Sequence, residues 1–119
     1  MKKIVNKNPG SNNGWTPCHA AAMNGHLNIC KYIMIKIANK NPGDNIGRTP
    51  YHLAAKNGHL KTCEYIMKNI ENKNPRDNNG CTPYHLAARK GHLEICQCIM
   101  EKIKNKNPGM NNALWLIRV

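Results

Sequence analysis

The amino-acid sequence predicts an all-α repeat fold, an α-solenoid of stacked helix–turn–helix units with projecting β-hairpin loops. The pattern G-x-T-P-x-H-x-A-A-x-x-G-H-L occurs three times, starting at Gly14, Gly47 and Gly80, at intervals of 33 residues. Apolar residues at helical spacing follow each copy, and Asn-Lys-Asn-Pro then ends each unit. A fixed period of this length is typical of arrays in which each unit buries its apolar faces against its neighbours.

Each unit is predicted to begin with a short helix. Thr16 is a good N-cap, and Pro17 suits the first helical position because it has no amide hydrogen to leave unpaired. Ala21 and Ala22 allow close packing against a neighbouring helix, and Gly25 is expected to end the helix. The equivalent residues of the other two units carry the same signals.

A second helix is predicted to follow from about Leu27. Its apolar residues are spaced by three and four positions, which places them on one stripe of a helix. Pro42 and its equivalents then prevent the helix from continuing, and Asn-Gly at 13–14 and 79–80 indicates the tip of a hairpin. The three stripes are Leu27, Cys30, Ile33, Met34 and Ile37; Leu60, Cys63, Ile66, Met67 and Ile70; and Leu93, Cys96, Ile99, Met100 and Ile103.

The period divides the chain into complete and partial units. Residues 4–10 align with residues 37–43, so the chain is expected to begin inside a preceding unit, as a piece of a longer array would. Ala113 stands where a Gly is due, and the pattern does not continue after it. The predicted boundaries are 1–13 for the preceding unit, 14–46, 47–79 and 80–112 for the complete units, and 113–119 for an aborted fourth unit or a tail.

The chain is strongly basic, with 18 Lys and Arg against 6 Asp and Glu and a formal net charge of +12. Such a charge favours acidic protein surfaces, anionic lipids or nucleic acid as partners, but it does not determine a fold. The N-terminus does not resemble a signal peptide, and no apolar run approaches the roughly 20 residues that span a membrane. We therefore expect an intracellular protein, cytoplasmic or alternatively nuclear, with its six Cys as free thiols.

The repeated letters resemble a known family. Thr-Pro-Cys-His once and Thr-Pro-Tyr-His twice, each followed by Ala-Ala and Gly-His-Leu at a 33-residue period, resemble the ankyrin repeat over residues 4–112. The resemblance implies an L-shaped stack in which paired helices form one arm and hairpins project from it. It also implies a protein-binding scaffold without catalytic activity.

The chain departs from the family pattern at two kinds of position. Cys18, Tyr51 and Tyr84 stand where the family usually has Leu, and a Tyr there is expected to place its hydroxyl at the edge of the core. The family usually ends its second helix with Gly, which this chain lacks. We expect Asn to take the left-handed C-cap conformation instead, because Asn tolerates it best after Gly. The candidates are Asn39, Asn72 and Asn105.

The recurring histidines are interpreted as structural. The His of Thr-Pro-x-His is expected to form a hydrogen-bond relay with neighbouring loop groups that ties one hairpin to the next. His26, His59 and His92, which follow the helix-ending Gly, are expected to bond to turn carbonyls. The residues of the relay are Thr16, His19, Thr49, His52, Thr82 and His85.

No catalytic residue, cofactor or metal site is predicted. His26 and Cys30 lie four residues apart on one helix face, as do their equivalents, but a zinc site needs two such pairs that converge. Cys18 precedes His19, yet adjacent side chains of a helix point in different directions, which argues against a nucleophile and base pair. The sequence also contains no phosphate loop of the Walker or dinucleotide type.

The resemblance suggests where a partner would bind. In the ankyrin family the variable binding positions include the residue between Gly and Thr and the two residues after Ala-Ala. These positions predict a concave face that is apolar in the first unit and basic in the next two. The predicted partner-binding residues are Trp15, Met23, Asn24, Arg48, Lys56, Asn57, Cys81, Arg89 and Lys90. The periodic lysines, interpreted instead as a solvated edge, are Lys7, Lys40, Lys73 and Lys106.

Three functions remain open at this level. The leading hypothesis is a non-catalytic, monomeric module that holds an acidic and apolar segment of another protein against the concave face. The first alternative is an electrostatic binder of nucleic acid or anionic membrane, which the charge allows although the interleaved aromatic residues of single-strand binders are missing. The second alternative is a structural spacer within a larger ankyrin protein.

Overall fold

The structure is a computed structural model that describes residues 13–106. Almost all of the predicted partial unit 1–13, the whole of 113–119 and the side chains of Lys7 and Lys106 lie outside the described residues. None of the helices in the described part of the chain is long and apolar enough to span a membrane. The helices are α1 Pro17–Met23, α2 Leu27–Met34, α3 Pro50–Lys56, α4 Leu60–Lys68, α5 Pro83–Arg89 and α6 Leu93–Lys106.

The first helix of each repeat begins and ends as the sequence predicts. The Thr16 side chain accepts a hydrogen bond from the His19 N–H, and the His19 ring accepts one from the Thr16 N–H, which completes a capping box. Gly25 follows the C-cap residue Asn24 with a φ of +71°. The Gly25 and His26 amides donate to the Ala22 and Ala21 carbonyls, at 3.2 and 2.9 Å, in the Schellman pattern. Helices α3 and α5 repeat both arrangements.

The prediction that Asn39, Asn72 or Asn105 forms a left-handed C-cap is wrong. Helices α2 and α4 end earlier, with C-cap residues Ile35 and Asn69 at φ values of −75° and −112°. The two Asn that follow them instead make Asx turns: the side-chain oxygens of Asn39 and Asn72 each accept a bond from the backbone N–H two residues on, at 3.0 and 2.9 Å. Asn105 lies inside α6.

Two of the periodic lysines cap the second helices. Lys40 Nζ donates to the carbonyl oxygens of Met34 and Ile37, and Lys73 makes the equivalent pair of bonds one repeat later. A positive charge at a helix C-terminus is stabilised by the helix dipole and by the carbonyls that have no partner within the helix. Lys40 and Lys73 are therefore helix caps, and their interpretation as a solvated edge is corrected.

The six helices stack in two rows. Helices α1, α3 and α5 pack in one row and α2, α4 and α6 in the other, while each first helix packs on the second helix of its own repeat. The predicted stripes supply the core, as at the fully buried Ile66 and Met67, but Leu93 is 66% exposed at the end of the stack. Tyr51 is also fully buried, and its hydroxyl leaves the apolar core to donate to the Lys73 carbonyl at 3.0 Å.

The loops between repeats are joined by backbone hydrogen bonds. Within one loop, the Asp44 N–H donates to the Arg48 carbonyl at 2.8 Å. Between loops, the Asn45 N–H donates to the Asn13 carbonyl at 3.0 Å, and the equivalent bond one repeat later is 2.9 Å long. No residue in the range 13–106 belongs to a β-strand, so the predicted projecting β-hairpins are not confirmed, and the loops there are hydrogen-bonded turns.

Candidate functional site

The histidines of Thr-Pro-x-His link successive repeats. The His19 ring accepts a hydrogen bond at Nδ1 from the Thr16 N–H at 3.1 Å, and its Nε2 lies 2.8 Å from the Arg48 carbonyl oxygen in the next loop. The His52 ring makes the same two contacts, with its own N-cap threonine at 3.1 Å and with the Cys81 carbonyl at 2.9 Å. A carbonyl oxygen can only accept, so the tautomer that carries its proton on Nε2 satisfies both partners.

Burial keeps these two rings neutral. His19 and His52 are fully buried, and desolvation lowers the pKa of each ring even though the carbonyl acceptors oppose the shift. Both nitrogens of each ring are engaged within the protein, so neither has a free lone pair for a metal ion or for proton abstraction. The relay has the geometry of a link between repeats and not of a reactive site.

The second set of histidines connects each repeat to the one before it. His59 Nε2 lies 2.9 Å from the Met23 carbonyl, and His92 Nε2 lies 3.0 Å from the Lys56 carbonyl. Met23 and Lys56 are the last residues of α1 and α3. The acceptors are therefore carbonyls of the last helical residues of the preceding repeat and not the expected turn carbonyls. Each repeat junction is held by one histidine bond in either direction.

The thiols do not gather into a site. None of the six Cys, all within residues 13–106, forms a disulfide; Cys30 and Cys63 are fully buried in the core, where burial raises the pKa of the Cys63 thiol. The ring of His59, which shares a helix face with Cys63 in the sequence pattern, turns to the Met23 carbonyl instead. Within residues 13–106, no three His, Cys, Asp or Glu side chains are grouped closely enough to hold a metal ion.

The structure leaves eight of the nine predicted partner-binding side chains at least partly accessible. Cys81 is the exception, at 7% exposed, because its small side chain lies beside the Arg89 guanidinium, whose Nη2 is 3.6 Å from the Cys81 Sγ. Cys81 is therefore removed from the predicted face. The exposed members are Asn24, Asn57, Arg89 and Lys90, and the half-buried members are Trp15, Met23, Arg48 and Lys56.

Trp15, Asp44 and Arg48 form a cluster at the first loop. The Asp44 Oδ2 accepts bonds from the Trp15 indole N–H at 3.0 Å and from the Arg48 Nε–H at 3.3 Å. Partial burial alone would raise the pKa of Asp44, but the N–H groups of Arg48 and Ile46, the Arg48 charge and the indole together lower it. The Trp15 ring also stacks on His19, with ring centroids 6.2 Å apart. The cluster fixes the Trp15 ring and compensates the charge of Arg48.

Uncompensated positive charge increases from the first repeat to the third. Among the residues after Ala-Ala, the first repeat has no cation, the second has Lys56, and the third has Arg89 and Lys90. None of these three cations forms an ion pair with a carboxylate of residues 13–106. Arg48 differs from them because Asp44 already pairs with it.

Two loop aspartates have roles that the repeat pattern alone did not reveal. The Asp77 Oδ1 accepts bonds from the N–H groups of Asn79 and Cys81, both at 2.9 Å, and Asp44 makes the equivalent pair at 3.0 and 2.8 Å. Both aspartates stand three residues before a loop Gly, at the 33-residue period. An Asp at the first position of a turn that ends in Gly is a turn signature, so this signal was present in the sequence.

The comparison with known families agrees with this architecture. The family model described as ankyrin repeats (3 copies) matches residues 1–77 and residues 35–112. No curated protein matches the chain. Ankyrin repeats are generally protein–protein interaction modules and are typically non-enzymatic. Because the two matches span the same residues as the three capped and interlinked helix pairs, the chain belongs to the ankyrin-repeat family.

Proposed function

We propose that the chain binds an acidic and partly apolar segment of another protein along one face, here called the basic face and defined by Trp15, Met23, Lys56, Arg89 and Lys90. The observation that carries this proposal is the set of three cations that pair with no carboxylate of residues 13–106. Accessible, uncompensated cations at neighbouring positions of stacked repeats present one continuous field to an acidic partner.

The spacing of the cations suggests the form of the partner. Lys56 and Arg89 occupy equivalent positions of α3 and α5, and packed helices lie about 8–10 Å apart. A segment in the extended polyproline II conformation has three residues per turn and advances about 3.1 Å per residue, so acidic side chains three residues apart lie on one side of it, about 9 Å apart, and match this separation. We therefore expect an extended segment with a carboxylate at every third position.

The first repeat gives the segment a direction. Trp15 and Met23 are half-buried and uncharged, and the indole is held in one orientation by Asp44 and His19. A rigid aromatic side chain is a common energetic anchor in protein interfaces. The apolar end of the segment is expected on the first repeat, and its acidic end on the third.

The test measures binding of a labelled extended peptide with Glu at every third position and Leu at one end, by fluorescence anisotropy. The face variant combines Lys56→Glu, Arg89→Glu and Lys90→Glu. The control variant combines Lys36→Glu, Lys68→Glu and Lys104→Glu, which makes the same change in net charge at exposed positions in α4 and α6 and just after α2. We expect the face variant to lose more than about tenfold in affinity while the control changes little. Equal losses in both variants would contradict the proposal.

The alternatives give different outcomes in the same assay. A polyanion binder would bind oligothymidine or phosphatidylserine vesicles better than the peptide, and its affinity would fall steeply with salt in every variant. A structural spacer would bind none of the three probes. Trp15→Ala should weaken peptide binding without changing the salt dependence, because the indole is uncharged.

A further inference from the structure

The side of the third repeat that faces away from the second repeat carries residues whose equivalents in the second repeat are buried. In the second repeat the residues that face the next unit are 0% exposed, and in the third repeat their equivalents are partly accessible. The equivalent pairs are Tyr51 and Tyr84, Ala55 and Ala88, Cys63 and Cys96, and Met67 and Met100. Tyr84, Cys96, Met100 and the exposed Leu93 line a groove of about 350 Å³, here called the end groove.

The residue after the groove-lining Tyr84, His85, has a buried ring nitrogen without a hydrogen-bond partner among the described residues. His85 Nε2 is buried and makes no hydrogen bond within the described residues, although its Nδ1 accepts one from the Thr82 N–H at 3.1 Å. The equivalent nitrogens of His19 and His52 each contact the carbonyl oxygen of the residue 29 positions further on. Counted the same way from His85, that residue is Leu114.

We propose that residues 114–117 of this same chain, Leu-Trp-Leu-Ile, fill the end groove, and that the Leu114 carbonyl oxygen accepts a hydrogen bond from His85 Nε2–H. The register of 29 residues selects Leu114, and four consecutive apolar side chains follow from it. Burying an unpaired N–H is costly, so a carbonyl at this place is favoured beyond the burial of the apolar groups.

Eight residues lead from the end of α6 to Leu114. Helix α6 continues to Lys106, six residues beyond the position at which α2 ends in its own repeat, which adds about 9 Å of helix. The eight residues from 106 to 114 can span roughly 26 Å when extended.

Ala113 is expected to weaken the docking of residues 114–117 slightly, so a substitution at this position has an effect of predictable direction. The equivalent residue of each earlier loop is Gly, and Gly80 has a φ of +82°, in the left-handed region that residues with a Cβ rarely adopt. Ala113→Gly should therefore strengthen the docking of residues 114–117.

The first experiment measures how fast N-ethylmaleimide alkylates Cys96 in the full chain, by peptide mass spectrometry. Cys98 lies on α6 beyond the end groove, near Glu64 of α4, and is the internal reference. The tail variant combines Leu114→Ser, Trp115→Ser, Leu116→Ser and Ile117→Ser. We expect Cys96 to react about tenfold faster in the tail variant, and more slowly in Ala113→Gly, with Cys98 unchanged. Equal Cys96 rates in the three proteins would overturn the proposal.

The second experiment observes the tail itself. In Trp15→Phe, Trp115 is the sole tryptophan, and its emission should be blue-shifted and protected from acrylamide. Protection that disappears on dilution would overturn docking within one chain and favour a second copy, whose own first repeat exposes Ile29, Tyr32 and Ile35. A slowly exchanging His85 Nε2–H proton in the NMR spectrum, present in the native chain and absent in the tail variant, would support the assigned hydrogen bond.

Discussion

The second and third repeats share one framework, but they differ in what covers them. Both begin with Thr-Pro-Tyr-His-Leu-Ala-Ala, and both use the same capping box and the same glycine helix end. Yet Met67 is fully buried while its equivalent Met100 is half-buried. The difference shows that a repeat specifies its own helices locally, whereas its burial is supplied by the neighbour.

At the other end of the described stack, the first repeat shows the same dependence of burial on a neighbouring repeat. Ile29 is 51% exposed, whereas the equivalent Thr62 and Ile95 are 1% and 2% exposed. These positions face the preceding repeat, and only the second and third repeats have a preceding repeat within residues 13–106. Position in the array, and not residue type, decides which of these side chains is buried.

The largest expected effect is the loss of packing inside the stack. Met67→Ala should lower the free energy of unfolding by about 2–5 kcal/mol, because a fully buried Met leaves a cavity when it is truncated. With both substitutions introduced into the tail variant, Met100→Ala should cost less, because Met100 there retains contact with solvent. Urea denaturation of both variants checks this comparison. Equal losses would mean that the two positions are equally buried in solution.

A second comparison separates backbone strain from contact between repeats. Gly47 and Gly80 both have a φ of +82°, so an alanine should cost roughly 1–2 kcal/mol at either position. A Cβ at Gly47 would also lie 2.5 Å from the Asn78 Oδ1 and 2.9 Å from its backbone N, whereas at Gly80 the nearest atom is 4.0 Å away. Thermal unfolding should therefore show Gly47→Ala to be the more destabilised variant, and the reverse order would contradict the described loop junction.

The pH dependence of stability tests the histidine links. The unfolded chain binds protons at histidine near pH 6.5, and the folded pKa of His52 is lowered by burial. The stability contributed by the neutral His52 ring is therefore fully present above about pH 6.5. It decreases as the pH falls below that value, because the unfolded state binds the proton first. His52→Gln should flatten the decline in melting temperature between about pH 7 and pH 5, since Gln can still complete a capping box but does not titrate. An unchanged slope would show that His52 is not responsible.

The smallest expected effect concerns the lysine caps. Lys73→Met keeps most of the aliphatic side chain but removes the donor to the carbonyls of Met67 and Ile70, and should cost about 1 kcal/mol. Lys68→Met, at an exposed position of the same helix, is the control and should change the melting temperature little. A loss of equal size in both variants would indicate a general effect of charge.

Much of this architecture could be predicted from the sequence because its causes are local. Thr16, Pro17 and Gly25 set the ends of α1 through backbone geometry, and a 33-residue period repeats them. The ends of the second helices were harder to place. Ile70 belongs to the apolar stripe and is buried, but it lies beyond the end of α4. The stripe therefore extends further along the chain than the helix does.

The candidate site was predicted less completely, because side-chain exposure depends on contacts that are distant in sequence. Cys81 occupies a variable position of the repeat, and only the folded position of Arg89 shows that it is covered. Likewise, the sequence alone predicts an unpaired cation at Arg48, whereas in the structure Arg48 pairs with Asp44. The residue types were visible in the sequence, but their pairing was not.

The most direct test of the neighbour-dependent burial is native-state hydrogen exchange on the full chain. Helices α3 and α4 are covered on both sides within residues 13–106, so their amides should be the most protected, followed by the helices of the first and third repeats. Mass spectrometry of peptic fragments resolves the three repeats. Slower exchange in α3 and α4 is the predicted result, and uniform protection across all six helices would contradict the account.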